Sequence, residues 1–215
     1  MSEGASAPPP ADDELGATIA GCTAAHRRLF TTLDGIGDDM PQRPSRLPGW
    51  TIGHVLTHLA RNADSHVRML EGAARGEHLE QYAGGYDQRS ADIEAGAGRT
   101  ATALVDDVRA STERLERAWA EAPAEAWNGH GWARARAWPC RRLPFDRWRE
   151  VELHHVDLGL GYEPADWPAD FVAGELPLVL DGLPDRLPET ARAELLAWLV
   201  GRADQPGPLP LAGWK

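Results

Sequence analysis

The chain has 215 residues and a formal net charge of −11, and 42% of its residues are hydrophobic, an ordinary fraction for a globular protein. The excess of carboxylates disfavours binding to nucleic acid, which needs clustered cations to release counterions from phosphates. No apolar run is long enough to cross a membrane, and residues 1–13 lack the basic-then-apolar pattern of a secretory signal, so we expect a cytoplasmic protein with one main core.

Apolar residues at helical spacing predict a first helix from Asp12, as its N-cap, to about Leu33. A loop rich in glycine and proline follows. Thr51 is then expected to cap a second helix that ends at Gly72 or Gly76.

His58 lies on the predicted inner face of the second helix, which also carries Ile52, Val55 and Leu59. A lone histidine on an apolar face is more often a hydrogen-bonded core residue than a metal ligand. His54, one turn earlier, is the competing candidate. The second helix therefore offers one imidazole for a possible buried site, and the sequence leaves open which one.

The rest of the chain predicts further helices around one irregular region. A helix over residues 88–121 is expected to kink or break near Gly96 and Gly98. Residues 123–144 are expected to form an irregular or hairpin-like segment, and we expect strands only in this region. The later helical segments are 145–160, 171–183 and 189–200.

Together these elements predict a mainly α protein, an antiparallel four-helix bundle with a short, reduced C-terminal helical extension. We expect a disordered lead at residues 1–11, the bundle over residues 12–162 and the reduced region over residues 163–215. The two cysteines, Cys22 and Cys140, lie outside any Cys-x-x-Cys motif, so we interpret both as structural and unpaired.

A cluster of arginines interrupts the otherwise acidic chain just before and within the helix at 145–160. Its members are Arg134, Arg136, Arg141, Arg142, Arg147 and Arg149. Such a cluster either attracts a small anionic ligand or is a set of solvated surface side chains, and the sequence favours neither.

Glu150 and His154 are four residues apart on that predicted helix, so their side chains project from the same face. Taken alone, such a pair is most often an ordinary solvated contact. An imidazole from the second helix would complete a set of two nitrogens and one carboxylate. That set leaves a fourth tetrahedral position open, which is typical of catalytic rather than structural zinc sites.

Two segments carry a resemblance to a known family. They are GWTIGHVLTHLARNAD at residues 49–64 and REVELHHVDLG at residues 149–159. Both resemble signature segments of the mycothiol-dependent maleylpyruvate isomerase family, a branch of the DinB-like metal-binding four-helix bundles. The resemblance covers residues 15–175 approximately. It implies a zinc or similar divalent ion held by His58, Glu150 and His154.

The resemblance also implies a reaction. In this family the nucleophile is the metal-bound thiolate of mycothiol, a sugar-linked cysteine derivative, and no protein side chain. The sulfur adds to the cis double bond of maleylpyruvate, a ring-cleavage product of aromatic catabolism. The adduct rotates about the resulting single bond, and elimination releases the trans isomer, fumarylpyruvate.

A dianionic substrate needs cations besides the metal. One candidate is Arg89, at the start of the third predicted helix, and the other is Arg202, whose segment WLVGR resembles the C-terminal family segment that carries a functional arginine. Asp157, one turn beyond His154, either orients that ligand or helps to end the helix. Helical geometry turns His155 about 100° away from His154, so we expect His155 and Glu152 to point away from the metal.

The chain departs from the family at its C-terminal end. Family members carry a small α/β domain there, whereas only a few residues separate the last two helical segments, 171–183 and 189–200, here. The missing sheet leaves the role of Arg202 and the substrate open. Two alternatives to an isomerase therefore remain, a mycothiol S-transferase and a non-catalytic metal- or thiol-binding protein. The chain is expected to be a monomer or a homodimer.

Overall fold

The computed structural model describes residues 11–203, so nearly all of the predicted disordered lead lies outside the described residues. Over this range the protein is mainly helical, as predicted. The helices are α1 (Asp12–Leu33), α2 (Ile52–Ala74), α3 (Gly85–Ala97), α4 (Ala101–Glu121), α5 (Ala124–Asn128), α6 (Leu143–Asp157), α7 (Ala169–Asp181), α8 (Leu183–Arg186) and α9 (Glu189–Leu199). None of these helices is long and apolar enough to cross a membrane.

Four long helices, α1, α2, α4 and α6, form the predicted bundle. The helix α2 is central, because it packs against α3, α4, α5 and α6, while α1 packs against α6 and α4. Its stripe of apolar residues is fully buried; it includes Ile52, Val55, Leu56, Leu59 and Leu70. The apolar face of α2 therefore lines the interior of the bundle.

The predicted helix boundaries hold with small corrections. Thr51 is the N-cap of α2, as expected, and its backbone N–H donates to His54 Nδ1 at 3.1 Å. The expectation that Asp12 caps α1 is wrong, since Ala11 occupies the N-cap position. The backbone N–H of Ala11 donates a hydrogen bond to the carboxylate of Glu14. The helix α6 begins two residues early, because Pro144 is tolerated in a first turn, and Gly159, with φ +67°, follows its end.

The predicted third helix is two helices, α3 and α4, and the break falls near Gly98, as expected. Thr100 caps the second of them by accepting the N–H of Ala103 at 3.3 Å. The first begins at Gly85, earlier than predicted. The chain enters it through Gly84 and Gly85, whose φ values of +120° and +76° suit only glycine.

The irregular region contains the predicted hairpin. Strands β1 (His130–Ala133) and β2 (Arg136–Pro139) pair antiparallel, and Arg134 and Ala135 form the two-residue turn between them. Both turn residues have positive φ, +52° and +57°, which matches the twist of the paired strands. The hairpin packs against α2 through β1, and Trp132 O accepts the N–H of Gln81, in the loop after α2, at 2.6 Å.

The chain divides into two compact units, of which the first ends at Trp167 and the second begins at Pro168. The described part of the second unit consists of α7, α8 and α9 and contains no strand. Several of its large apolar side chains are exposed, among them Leu176, Leu180, Leu196 and Leu199.

The close approach of α2 to the end of α3 depends on Gly53. A Cβ atom at this position would lie 2.1 Å from the carbonyl oxygen of Ala97. We expect Gly53→Ala to lower the free energy of unfolding by about 2–3 kcal/mol, because one backbone must move away from the other. Urea denaturation followed by circular dichroism measures this.

Gly16 provides the matched control, since it is exposed within α1 and a Cβ there would meet nothing within 4 Å. Gly16→Ala should raise the free energy of unfolding by about 0.5–1 kcal/mol through helix propensity alone. Equal effects of the two substitutions would show that the helix contact at Gly53 is not tight.

Candidate metal centre

Three side chains converge between α2 and α6. Oε2 of Glu150 lies 2.8 Å from Nε2 of His58 and 3.4 Å from Nε2 of His154. One ligating atom from each residue lies within 4.8 Å of the other two. The three residues singled out by the sequence are thus neighbours, although His58 is 92 positions from Glu150.

Local structure explains the convergence. His58 lies on the buried face of α2 and is 4% exposed, so its ring faces the bundle interior. Glu150 and His154 are one turn apart on α6, which packs against α2 at this level. The Trp50 ring packs against the His58 ring at a steep angle, with the two centroids 5.8 Å apart.

The Nδ1 atom of each imidazole also has a polar partner. Nδ1 of His154 lies 2.8 Å from Oδ2 of Asp157, so Asp157 orients this ring. A guanidinium nitrogen of Arg89 lies 3.0 Å from Nδ1 of His58. Both contacts leave the Nε2 atoms directed at Glu150.

Burial and mutual contacts shift the pKa values of all three side chains in the cluster. Burial alone would raise the pKa of Glu150, but its contacts with His154 and His58 hold that pKa well below its usual range. Burial lowers the pKa of His58 to about 4, so its ring is neutral at pH 7. Burial also opposes the charge on His154, but the carboxylates of Asp157 and Glu150 outweigh it and raise the pKa of His154 to about 9.

This donor set fits a divalent ion. Two imidazole nitrogens and one carboxylate oxygen are the ligands that zinc takes in catalytic sites, and Nδ1 of His154 has the carboxylate partner that such a ligand normally has. At neutral pH His58 and Glu150 are already in their ligating forms, and His154 would lose a proton on coordination.

The other histidines near these helices have different roles. His54, the competing candidate, accepts the N–H of Thr51 at the start of α2, and its second nitrogen lies 3.3 Å from Glu94. His155 stacks on Tyr162 with ring centroids 3.9 Å apart, and its Nε2 lies 2.8 Å from Oγ1 of Thr32. His155 therefore points away from the cluster, as expected.

Glu152 also lies outside the cluster, as expected from its helical position. Its carboxylate is buried and accepts hydrogen bonds from the Trp148 indole at 2.9 Å, from Tyr162 and from Arg28. Arg202 belongs to the second compact unit, where its guanidinium is exposed and donates to the carbonyl of Val200 at 3.0 Å.

The interpretation of Arg147 as part of a surface or ligand-attracting arginine cluster is wrong. Arg147 is fully buried and donates to the carbonyl of Leu59 and to Oδ1 of Asn62, each at 2.8 Å, and to Nε2 of His26 at 3.2 Å. Its place four residues before Val151, on the inner face of α6, is the signal in the sequence that could have revealed this.

Both cysteines are free and buried, as expected. Sγ of Cys22 lies 3.8 Å from Nε2 of His26, and Nδ1 of His26 lies 2.8 Å from the carboxylate of Glu116. This thiol, imidazole and carboxylate arrangement resembles a catalytic triad. Burial nevertheless raises the pKa of the Cys22 thiol far above its usual value. A fully buried thiol of this kind is inert, so Cys22 is a core residue.

A four-helix bundle with a His, Glu, His cluster in its interior places the chain in the DinB-like class of helical bundles. Comparison with known families identifies the branch. The family model described as the mycothiol maleylpyruvate isomerase N-terminal domain matches residues 22–159, well over half of the chain, and the chain belongs to this family.

Two solved structures are similar to the chain. Both are of the mycothiol-dependent maleylpyruvate isomerase, one of them a histidine-to-alanine mutant. Each is 26% identical with a TM-score of 0.70 over 74% of this chain. The chain spans 66% of the length of each, slightly less than two thirds. No curated protein matches the chain.

Proposed function

We propose that the protein is a zinc-dependent isomerase that uses mycothiol to convert maleylpyruvate, or a similar cis-unsaturated dicarboxylate, into its trans isomer. The observation that carries this proposal is the convergence of His58, Glu150 and His154 in the interior of a bundle that belongs to the family. The 26% identity with the solved isomerase is consistent with the same chemistry.

In this proposal His58, Glu150 and His154 hold the zinc ion. The chemistry that zinc supplies there is a lowered pKa for a coordinating thiol, which makes a thiolate available at neutral pH. Asp157 keeps the His154 ring in its ligating orientation through the contact at Nδ1. Trp50 packs against the ring of His58.

Arg89 has a second task in the proposal. A guanidinium only donates hydrogen bonds, so its contact with His58 requires Nδ1 to be an acceptor. A neutral imidazole that uses Nε2 as a ligand carries its proton on Nδ1, and the two groups then no longer attract each other. We infer that metal binding frees Arg89 to bind a carboxylate of the substrate.

The reaction itself needs two changes of bonding with one rotation between them. The thiolate sulfur adds to the cis double bond and so leaves a single bond between the two carbons, rotation about this bond follows, and elimination of the thiolate restores a double bond in the trans geometry. Negative charge develops on the substrate during addition, and a guanidinium such as that of Arg89 stabilises this charge. The thiol is regenerated unchanged.

Incubation of the zinc-loaded protein with maleylpyruvate tests the proposal, with the products separated by chromatography. We expect fumarylpyruvate to form only when mycothiol is present, and mycothiol not to be consumed. Stoichiometric consumption of mycothiol together with an electrophile would indicate an S-transferase instead. Tight metal binding with no turnover of either kind would leave a non-catalytic binding protein.

A further inference from the structure

A cavity of about 230 Å³ opens beside the metal cluster and shares Glu150 with it. Its walls are α2, α6, the start of α3 and the β1–β2 hairpin. The lining residues that matter here are His66, Tyr86, Arg134, Arg136, Arg149 and Glu150. We call this cavity the hairpin pocket.

The hairpin pocket has a surplus of positive charge. Two carboxylates line it, but Glu150 contacts the cluster histidines, and Asp146 lies 3.6 Å from Arg149 and accepts the Trp138 indole N–H. Among residues 11–203, no carboxylate forms an ion pair with Arg134 or Arg136. Two guanidinium groups are therefore left for an anion from outside.

Arg134 and Arg136 are both exposed, and a ring contact holds Arg134 in place. The guanidinium of Arg134 stacks 4.6 Å above the Tyr86 ring, although Arg134 has the positive φ of +52° that an L side chain rarely adopts. Beneath the hairpin, Gly131 packs so closely on Met69 of α2 that a Cβ there would be 2.6 Å from that side chain. Arg134 and Arg136 thus belong to a hairpin that packs closely on α2.

His66 adds a buried polar atom to the pocket. The residue is 3% exposed, and within the described range its Nδ1 has no hydrogen-bond partner. Burial lowers the pKa of His66 to about 4, so the ring is neutral at pH 7. The backbone of Leu143 hydrogen-bonds this ring, which uses the single N–H of a neutral imidazole, so the unpartnered Nδ1 accepts hydrogen bonds and suits a donor rather than a carboxylate.

We propose that the hairpin pocket binds one carboxylate end of a small dicarboxylate substrate through Arg134 and Arg136. The proposal rests on the proposed function, because it assigns a place to the substrate of that reaction. The pocket is smaller than the roughly 300–1,000 Å³ of sites for drug-sized ligands. Its size and charge suit a small acid better than a sugar-linked thiol.

Binding of succinate, an unreactive dicarboxylate, tests the pocket without catalysis. We expect isothermal titration calorimetry to show succinate binding to the zinc-loaded protein and at least tenfold weaker binding to the double variant Arg134→Gln/Arg136→Gln. Charge-assisted hydrogen bonds are worth enough for a loss of this size. The matched control is Arg27→Gln, an exposed arginine on α1, which should bind succinate like the wild type.

A second variant separates binding from folding. Glycine tolerates the positive φ of residue 134, so Arg134→Gly should leave the free energy of unfolding unchanged or raise it. The same variant should weaken succinate binding. If Arg134 has only a structural role in the turn, this variant binds succinate as well as the wild type, which would overturn the proposal.

The kinetic outcome distinguishes this proposal from the proposed function. In an active isomerase the double variant should raise the KM for maleylpyruvate at least tenfold and leave kcat and the KM for mycothiol nearly unchanged. An unchanged KM and unchanged succinate affinity would refute the pocket and leave the function intact. An inactive wild type that binds succinate through these arginines would refute the function only, whereas a raised KM for mycothiol alone would assign the pocket to the thiol and overturn the proposal.

Discussion

Replacement of His154 by alanine is expected to abolish zinc binding and with it the isomerase activity. The site has only three protein ligands, and the loss of one leaves Glu150 and His58 without the second ligand on α6. The bundle should remain folded, because alanine favours the helix and the ring of His154 is partly exposed. Metal content per chain by plasma mass spectrometry, together with the far-ultraviolet circular dichroism spectrum, measures both effects.

The control for this substitution is His130→Ala, because His130 is an exposed histidine on β1 outside the cluster. It should retain one zinc ion per chain and full activity. Glu150→Gln keeps the shape of the side chain and removes its charge, so it should also lose zinc. One equivalent of zinc in purified His154→Ala protein would contradict the assignment of the site.

Replacement of Arg147 by alanine is expected to cause the largest loss of stability, about 3–5 kcal/mol in the free energy of unfolding. The substitution empties the volume of a fully buried side chain and removes the donors that serve Asn62 and His26. Burial also lowers the pKa of Arg147, which reflects the cost of holding this charge inside the bundle. Chemical denaturation monitored by tryptophan fluorescence gives the change.

The comparison with Arg27→Ala shows whether the effect depends on burial. Arg27 is an exposed arginine on α1, and its replacement should change the free energy of unfolding by less than about 0.5 kcal/mol. Similar losses for the two variants would mean that the hydrogen bonds of Arg147 contribute little. Zinc content should fall in Arg147→Ala only under conditions where the protein unfolds.

The candidate site shows how far spacing alone can be used. Glu150 and His154 follow from a four-residue interval on one helix, and helical geometry alone turned His155 away from them. The choice between His54 and His58 did not follow, because both lie on the same face of α2, one turn apart. Glu150 on α6 lies beside His58 in the folded protein, so His58 joins the cluster. His54 instead accepts a hydrogen bond from the backbone of Thr51 at the start of α2.

The order of helices, the break near Gly98, the hairpin and the family were all determined by the sequence itself, because each depends on residues close together in the chain or on a short motif. Only the tertiary structure decided which partners Arg147 contacts inside the bundle and that Arg134 and Arg136 line the same cavity as Glu150. The physical reason is that burial and ion pairing depend on neighbours far away in sequence. A run of arginines carries the same charge pattern whether its members face the core, a pocket or water.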